Sequence, residues 1–138
     1  MIKKQQILII IICGLSILMG RDKALVSSWE FRKMTSVFFS DPKEETIQVS
    51  NENHREVLNF RSDGTFSHRG VSEGVDVAGI GTWNTSGSMV LISTSGSKIE
   101  GQYTISDDML MLTIDEEETD EHYASKTLIT YSRKVNKK

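Results

Sequence analysis

Ile99-Glu100-Gly101-Gln102-Tyr103-Thr104-Ile105-Ser106-Asp107-Asp108-Met109-Leu110-Met111-Leu112-Thr113-Ile114 decides the fold class. Ile99, Gly101, Tyr103 and Ile105 alternate with the polar Glu100, Gln102 and Thr104, and Leu110, Leu112 and Ile114 repeat the same rhythm. A period of two sends successive side chains to opposite faces of a strand. Asp107-Asp108 between the two series tolerates left-handed backbone and reads as a tight turn. The stretch is therefore a β-hairpin with one dry face and one wet face. Gly101 inside its first strand marks a bend or bulge where the sheet curves.

The same grammar extends in both directions. Ser62-Asp63-Gly64, Ser86-Gly87 and Ser95-Gly96-Ser97 are further turns between short apolar runs. Strands are expected near 25–34, 46–50, 56–61, 64–69, 79–84, 88–93, 97–106, 108–114 and 121–133. Spacing of roughly ten residues without a helical period is the pattern of an antiparallel barrel or sandwich, and successive tight hairpins give up-and-down order. A parallel sheet would need crossover helices that the chain has no room for. Thr35 to Glu45 reads as a loop with one helical turn, and Val71 to Ala78, rich in Gly, Ser and acids, as a longer loop.

Residues 1–20 follow a different rule. Lys3 and Lys4 precede Ile7 to Ile12, and the apolar run continues through Leu15, Ile17, Leu18 and Met19. Its length suits the core of a signal peptide and falls short of the ~20 residues a spanning helix needs. A hydrophobic N-terminal helix acting as an export signal is expected. An uncleaved membrane anchor is the alternative, because Leu18 stands where a small residue would favour cleavage. Cys13 follows Ile12, whereas a lipidation signal needs a small residue before the Cys, so Cys13 reads as one more apolar side chain. It is the chain's single Cys, and loss of the leader would leave no disulfide to form.

Composition excludes several roles. The 138 residues are room for one domain, and 38% hydrophobic with 25% charged residues is a globular balance. The formal net charge is −3. Removal of residues 1–20 takes two lysines, leaving 14 basic against 19 acidic residues, a net of −5. Such a surface is a poor partner for nucleic acid or anionic lipid, so membrane contact is expected only through residues 1–20. His54, His68 and His122 lack the spacing of a zinc site, and there is no G-x-S-x-G elbow or phosphate-binding loop. No cofactor and no catalytic role are expected. Asp115 to Glu121 is almost wholly acidic but lacks the glycine and alternate-position spacing of a calcium loop; it reads as a solvated hairpin tip. Residues 135–138 are a basic tail.

Leu25-Val26-Ser27-Ser28-Trp29 resembles the L-x-G-x-W that opens lipocalin-like domains. Leu58 to Phe66 resembles their F-x-x-D-G-T-F hairpin. Gly81-Thr82-Trp83 with Met89-Val90-Leu91, then Tyr103-Thr104-Ile105 with Leu110-Met111-Leu112, follow in the family's order. The resemblance spans about residues 24–134, with Ser27 where the family usually has glycine. It implies an eight-stranded (8–9) antiparallel up-and-down β-barrel, lipocalin-like, of a kind frequent in exported bacterial proteins and sometimes holding a small apolar cavity. It also implies that Trp29 fills the closed end with Arg133 over its ring, a structural pair. Phe31, Phe60, Phe66, Trp83, Met89 and Tyr103 are the candidate lining for a small apolar or amphipathic ligand, with His68 as a polar contact. The alternative is that these side chains fill the barrel and the protein serves as a structural or interaction component of the cell envelope.

Overall fold

A computed structural model describes residues 20–135; the expected leader helix and most of the basic tail lie outside them. Nine strands run β1 (Ser27–Phe38), β2 (Glu44–Val49), β3 (His54–Phe60), β4 (Thr65–Ser72), β5 (Val75–Ser86), β6 (Met89–Thr94), β7 (Ser97–Ser106), β8 (Met109–Glu116) and β9 (Ser125–Arg133). All pair antiparallel in one sheet of order β2-β1-β3-β4-β5-β6-β7-β8-β9, and β1 also pairs with β9, which closes the sheet on itself. Among the described residues the only helix is a single 3-10 turn, Lys23–Leu25.

Nine strands make eight staves. Along one edge of β1, Ser27 to Glu30 pair with β3 while Lys33 to Phe38 pair with β2. β2 and β3 therefore run in the same direction, one after the other, as a single long stave interrupted at Ser50 to Asn53. The interruption is held by local bonds. Asn51 Oδ1 accepts from the backbone N–H of Asn53 at 2.8 Å and of His54 at 3.0 Å, and Ser50 N–H donates to Arg32 O at 2.8 Å. Arg32 sits at the register shift of β1 between Phe31 and Lys33, the bulge that bends the strand at that level.

Three expectations at the strand ends are corrected. Thr35 to Glu45 has no helical turn: β1 continues through Phe38 because ladder partners on both β2 and β9 extend to its end. Val71 to Ala78 is not a long loop. Glu73 (φ 50°) and Gly74 (φ 79°) both take left-handed backbone and turn β4 into β5 in two residues, the turn whose twist matches that of paired strands. β9 begins at Ser125, since Thr119 and His122 bond to each other across a separate turn (Oγ1 to Nδ1, 2.7 Å).

One end of the barrel is packed shut. Trp29 is fully buried, donates from Nε1 to Leu25 O at 2.9 Å, and carries the Arg133 guanidinium 4.4 Å above its ring. The two residues are direct partners in the β1–β9 register, so the pairing is built into the closure of the sheet. Phe60 packs edge-on against Phe66 (5.1 Å) and Trp83 (5.2 Å), each such pair worth about 1 kcal/mol beyond the area it buries. Asp22 ties the incoming chain to this end: its carboxylate caps Ala24 N–H at 3.0 Å and accepts from Tyr103 Oη at 2.7 Å. Burial, with the Asp22 carboxylate beside it, pushes the Tyr103 phenol up to about 12.

Candidate functional site

The inner face is set by alternation. Leu58, His68 and Gly79 are register partners, as are Phe66 and Gly81, and Glu56 and Gly70. Since Leu58 and Phe66 are buried, His68, Glu56 and the three glycines share the interior. Glu56 belongs there because it stands two residues before Leu58 and four before Phe60, on the same side of β3. The close approach of strands explains the glycines. A Cβ on Gly70 would run into Arg55 O and lie 2.7 Å from Glu56 Cα, and a Cβ on Gly79 would meet His68 Nε2 and lie 2.9 Å from Cδ2.

Of the candidate lining residues, Phe60, Phe66, Trp83 and Tyr103 belong to the packed core together with Leu58, Val90, Ile92, Leu110 and Leu112. They fill the barrel toward the closed end and are not part of the cavity at the other end. Met89 is corrected outright: it neighbours the buried Val90, pairs with Ser86 and Gln102, and so points to the outer face. The two-residue turn Gly87-Ser88 fixes that register. Ile99, the first member of the inward series, is exposed, because it sits near the mouth, where β7 begins.

Beyond this plug the interior opens. A cavity of about 170 Å3 at the other end is lined by Phe31, Met34, Val77, Ile129 and Tyr131, with Glu56, His54, Arg55, Gln48, Val71 and Ser72 completing its wall and rim. Phe31 is thus the expected lining residue that the structure places in a cavity. Phe31 and Tyr131 meet edge-on, ring centroids 6.2 Å apart at 68°. Glu56, Met34, Val77, Ile129 and Tyr131 were not singled out from the sequence. The signal for Glu56 was present: a carboxylate on the apolar phase of Leu58 and Phe60.

The polar contents of this end are coupled. His68 Nδ1 lies 3.2 Å from Glu56 Oε2, and this ion-pair contact is the one polar neighbour of a buried Nδ1 that makes no well-formed hydrogen bond. Burial raises the Glu56 carboxyl above its ordinary value of 4.5, and the His68 contact offsets this only in part. Burial raises the Tyr131 hydroxyl strongly, and the Glu56 charge adds to it. His68, expected as a polar contact, is therefore on the inner face, against Glu56 and within 6.1 Å of the Phe66 ring centroid.

Two expected outcomes follow. An acid whose folded value is raised favours the fold while it is protonated and withdraws that support as pH rises from the unfolded value through the folded one. The Glu56 contribution therefore declines from about pH 4.5 upward. Glu56→Gln keeps the shape without the charge, so urea midpoints should rise near neutral pH and lose this part of their pH slope. Gly79→Ala drives its methyl into His68, the mobile end of a side chain. The ring should swing off Glu56 at a cost of about 1 kcal/mol, read as changed His68 ring nitrogen shifts by NMR.

A second concavity lies outside the barrel. An open groove of about 1220 Å3 runs along β3 to β5, lined mainly by outward residues such as Val57, Arg69, Ala78 and Ile80, and reaching Glu56, His68, Gly70 and Gly79 through the wall. Among the described residues, no group of three or more His, Cys, Asp or Glu could hold a metal ion, and no helix is long and apolar enough to cross a membrane. Comparison of the chain with protein-family models, with curated proteins and with solved structures found no match, so the closed antiparallel barrel is the level at which the chain is classified.

Proposed function

We propose that the protein is an exported, lipocalin-like barrel that takes one small apolar or amphipathic molecule into its open end and performs no chemistry on it. The observation that carries the reading is the cavity of about 170 Å3 left above a fully packed plug. A cavity near 150 Å3 with apolar walls accommodates a benzene ring, so this one suits a single ring or a short chain rather than a lipid. Retaining Glu56 and Tyr131 in the cavity wall costs stability, and a few polar groups converging on an apolar cavity are what fix a bound ligand. Export is supported by Lys3 and Lys4 followed by the apolar run to Met19.

Native mass spectrometry of the protein purified from its own host tests the ligand and reports what has become of the leader. The expected result is a small adduct on the barrel, and a mass short of the leader if export ends in cleavage or including it if the leader stays as an anchor. Val77→Phe, which fills the cavity, should remove the adduct. An adduct-free wild type, or one whose adduct survives Val77→Phe, defeats the reading. A second reading, an interaction protein of the envelope, is favoured by the outer groove with Ile80 77% exposed beside Arg69. Loss of a co-purifying partner in Arg69→Glu, with the adduct unchanged, would select it.

A further inference from the structure

We propose that the open-end cavity is selective for a compact organic cation, an ammonium bearing one apolar group of about the size of a benzene ring, held with its nitrogen on the Glu56 carboxylate and its apolar group against Phe31, Met34 and Ile129. This rests on the barrel being a small-molecule binder and goes further by fixing the charge of what it binds.

The first support is the donor–acceptor balance of the cavity wall. Glu56 brings a carboxylate with several acceptor sites into a lining whose other polar members are Gln48, His54, Arg55 and Ser72, beside the apolar Phe31, Met34, Val71, Val77 and Ile129. Among the described residues its ionic contact is with His68, whose Nδ1 lies 3.2 Å from Oε2. Oε1 has no ion-pair partner among the described residues, and Glu56 is part of the cavity wall. An ammonium meets the carboxylate with short, charge-assisted hydrogen bonds, which are roughly twice as strong as neutral ones. A neutral alcohol meets it more weakly, and a carboxylate ligand would set like charges together.

The second support is aromatic. Phe31 and Tyr131 stand edge to face beside Glu56, so rings at two inclinations border the same space. Aromatic faces attract organic cations through their quadrupoles, most strongly where water is excluded.

The third support is the field at the mouth. Phe38 pairs with Ser125 and with Glu44, and Glu116 pairs with Ser125, so the β1–β2 and β8–β9 loops stand at the open end. The β8–β9 loop carries Glu117, Glu118, Asp120 and Glu121, and β2 begins Glu44-Glu45. Lys43, Lys126 and Arg55 at the rim are outnumbered. Negative charge around an entrance raises the local concentration of cations and their on-rate. The acidic run that the barrel wall does not use thereby has a place in the binding event.

The test uses calorimetry on the full chain at low salt with three probes of one shape: benzylammonium, benzyl alcohol and benzoate. Benzylammonium should bind about tenfold or more tighter than benzyl alcohol, with benzoate weakest. Glu56→Gln should abolish that preference while still binding benzyl alcohol, which also shows that the variant is folded. Equal affinity for the amine and the alcohol in the wild type overturns the charge selectivity and leaves the apolar-ligand reading standing. A preference that persists in Glu56→Gln overturns the assignment to Glu56. No binding of any probe overturns both readings.

Discussion

Trp29→Ala should cost about 3–5 kcal/mol, the range for deleting a buried tryptophan, and so consume much of the stability that a domain of this size possesses. Three separate losses combine. The indole is fully buried at the closed end, so its removal leaves a void that the facing strands cannot collapse to fill. Leu25 O loses the 2.9 Å hydrogen bond from Nε1, and a buried acceptor without a donor carries a penalty of its own. Arg133 loses the ring beneath its guanidinium and keeps only its 2.9 Å contact with Asp108. Urea denaturation measures the sum. Arg133→Met isolates the cationic part and should cost about 1 kcal/mol, far less than the tryptophan. A Trp29→Ala protein as stable as the wild type would mean that the closed end is not what holds the sheet shut.

The next largest effect is expected from adding one carbon. A Cβ on Gly81 would run into Ser93 O and lie 2.8 Å from Ser93 C and 2.9 Å from Thr94 Cα. These are backbone atoms of the neighbouring strand, and they cannot swing aside as a side chain can. Gly81→Ala must separate β5 from β6 where Gly81 pairs with Thr94, directly beside the buried Trp83 and Ile92. A loss of about 3 kcal/mol follows from such overpacking. Gly20→Ala, measured like Gly81→Ala in the full chain that retains residues 1–20, is the matched control, since nothing lies within 4 Å of the added carbon; it should shift stability by less than about 0.5 kcal/mol. Equal midpoints for the two variants would show that strand approach at Gly81 does not govern the curvature of the wall.

The parts of this fold that could be read from the sequence are those that repeat. Leu110 and Leu112 alternate without interruption, and both are buried where the alternation put them. Asp107-Asp108 announced a turn and makes one, with φ of 50° and 63°. The Trp29–Arg133 contact was implied by family resemblance and is present as a register pair. What escaped depends on partners distant in the chain. Val37 and Phe38 suit a strand but do not say where it ends; β2 and, some ninety residues later, β9 supply the ladders that carry β1 through Phe38. Glu73-Gly74 reads as part of a polar loop because Ser72, Glu73, Gly74 and Asp76 crowd the stretch Val71 to Ala78, and only the register shows that Ser72 and Asp76 stand on strands. The binding end was legible least. Large aromatics announce a core, and most of them form it. A cavity is defined by what is missing between residues such as Met34, Val77 and Ile129, and an absence leaves no letter in a sequence.

The broken stave has a dynamic corollary. β2 is fastened to the body by one ladder, to β1, and Ile47 and Val49 on it are more than half exposed. Every other strand has neighbours on both edges. Regions with few buried contacts open at lower free energy than the rest of a domain. Under native conditions, deuterium should therefore replace the amide protons of Glu44 to Val49 well before those of β7 or β8, with the wall around Gln48 breathing while the tryptophan end stays shut.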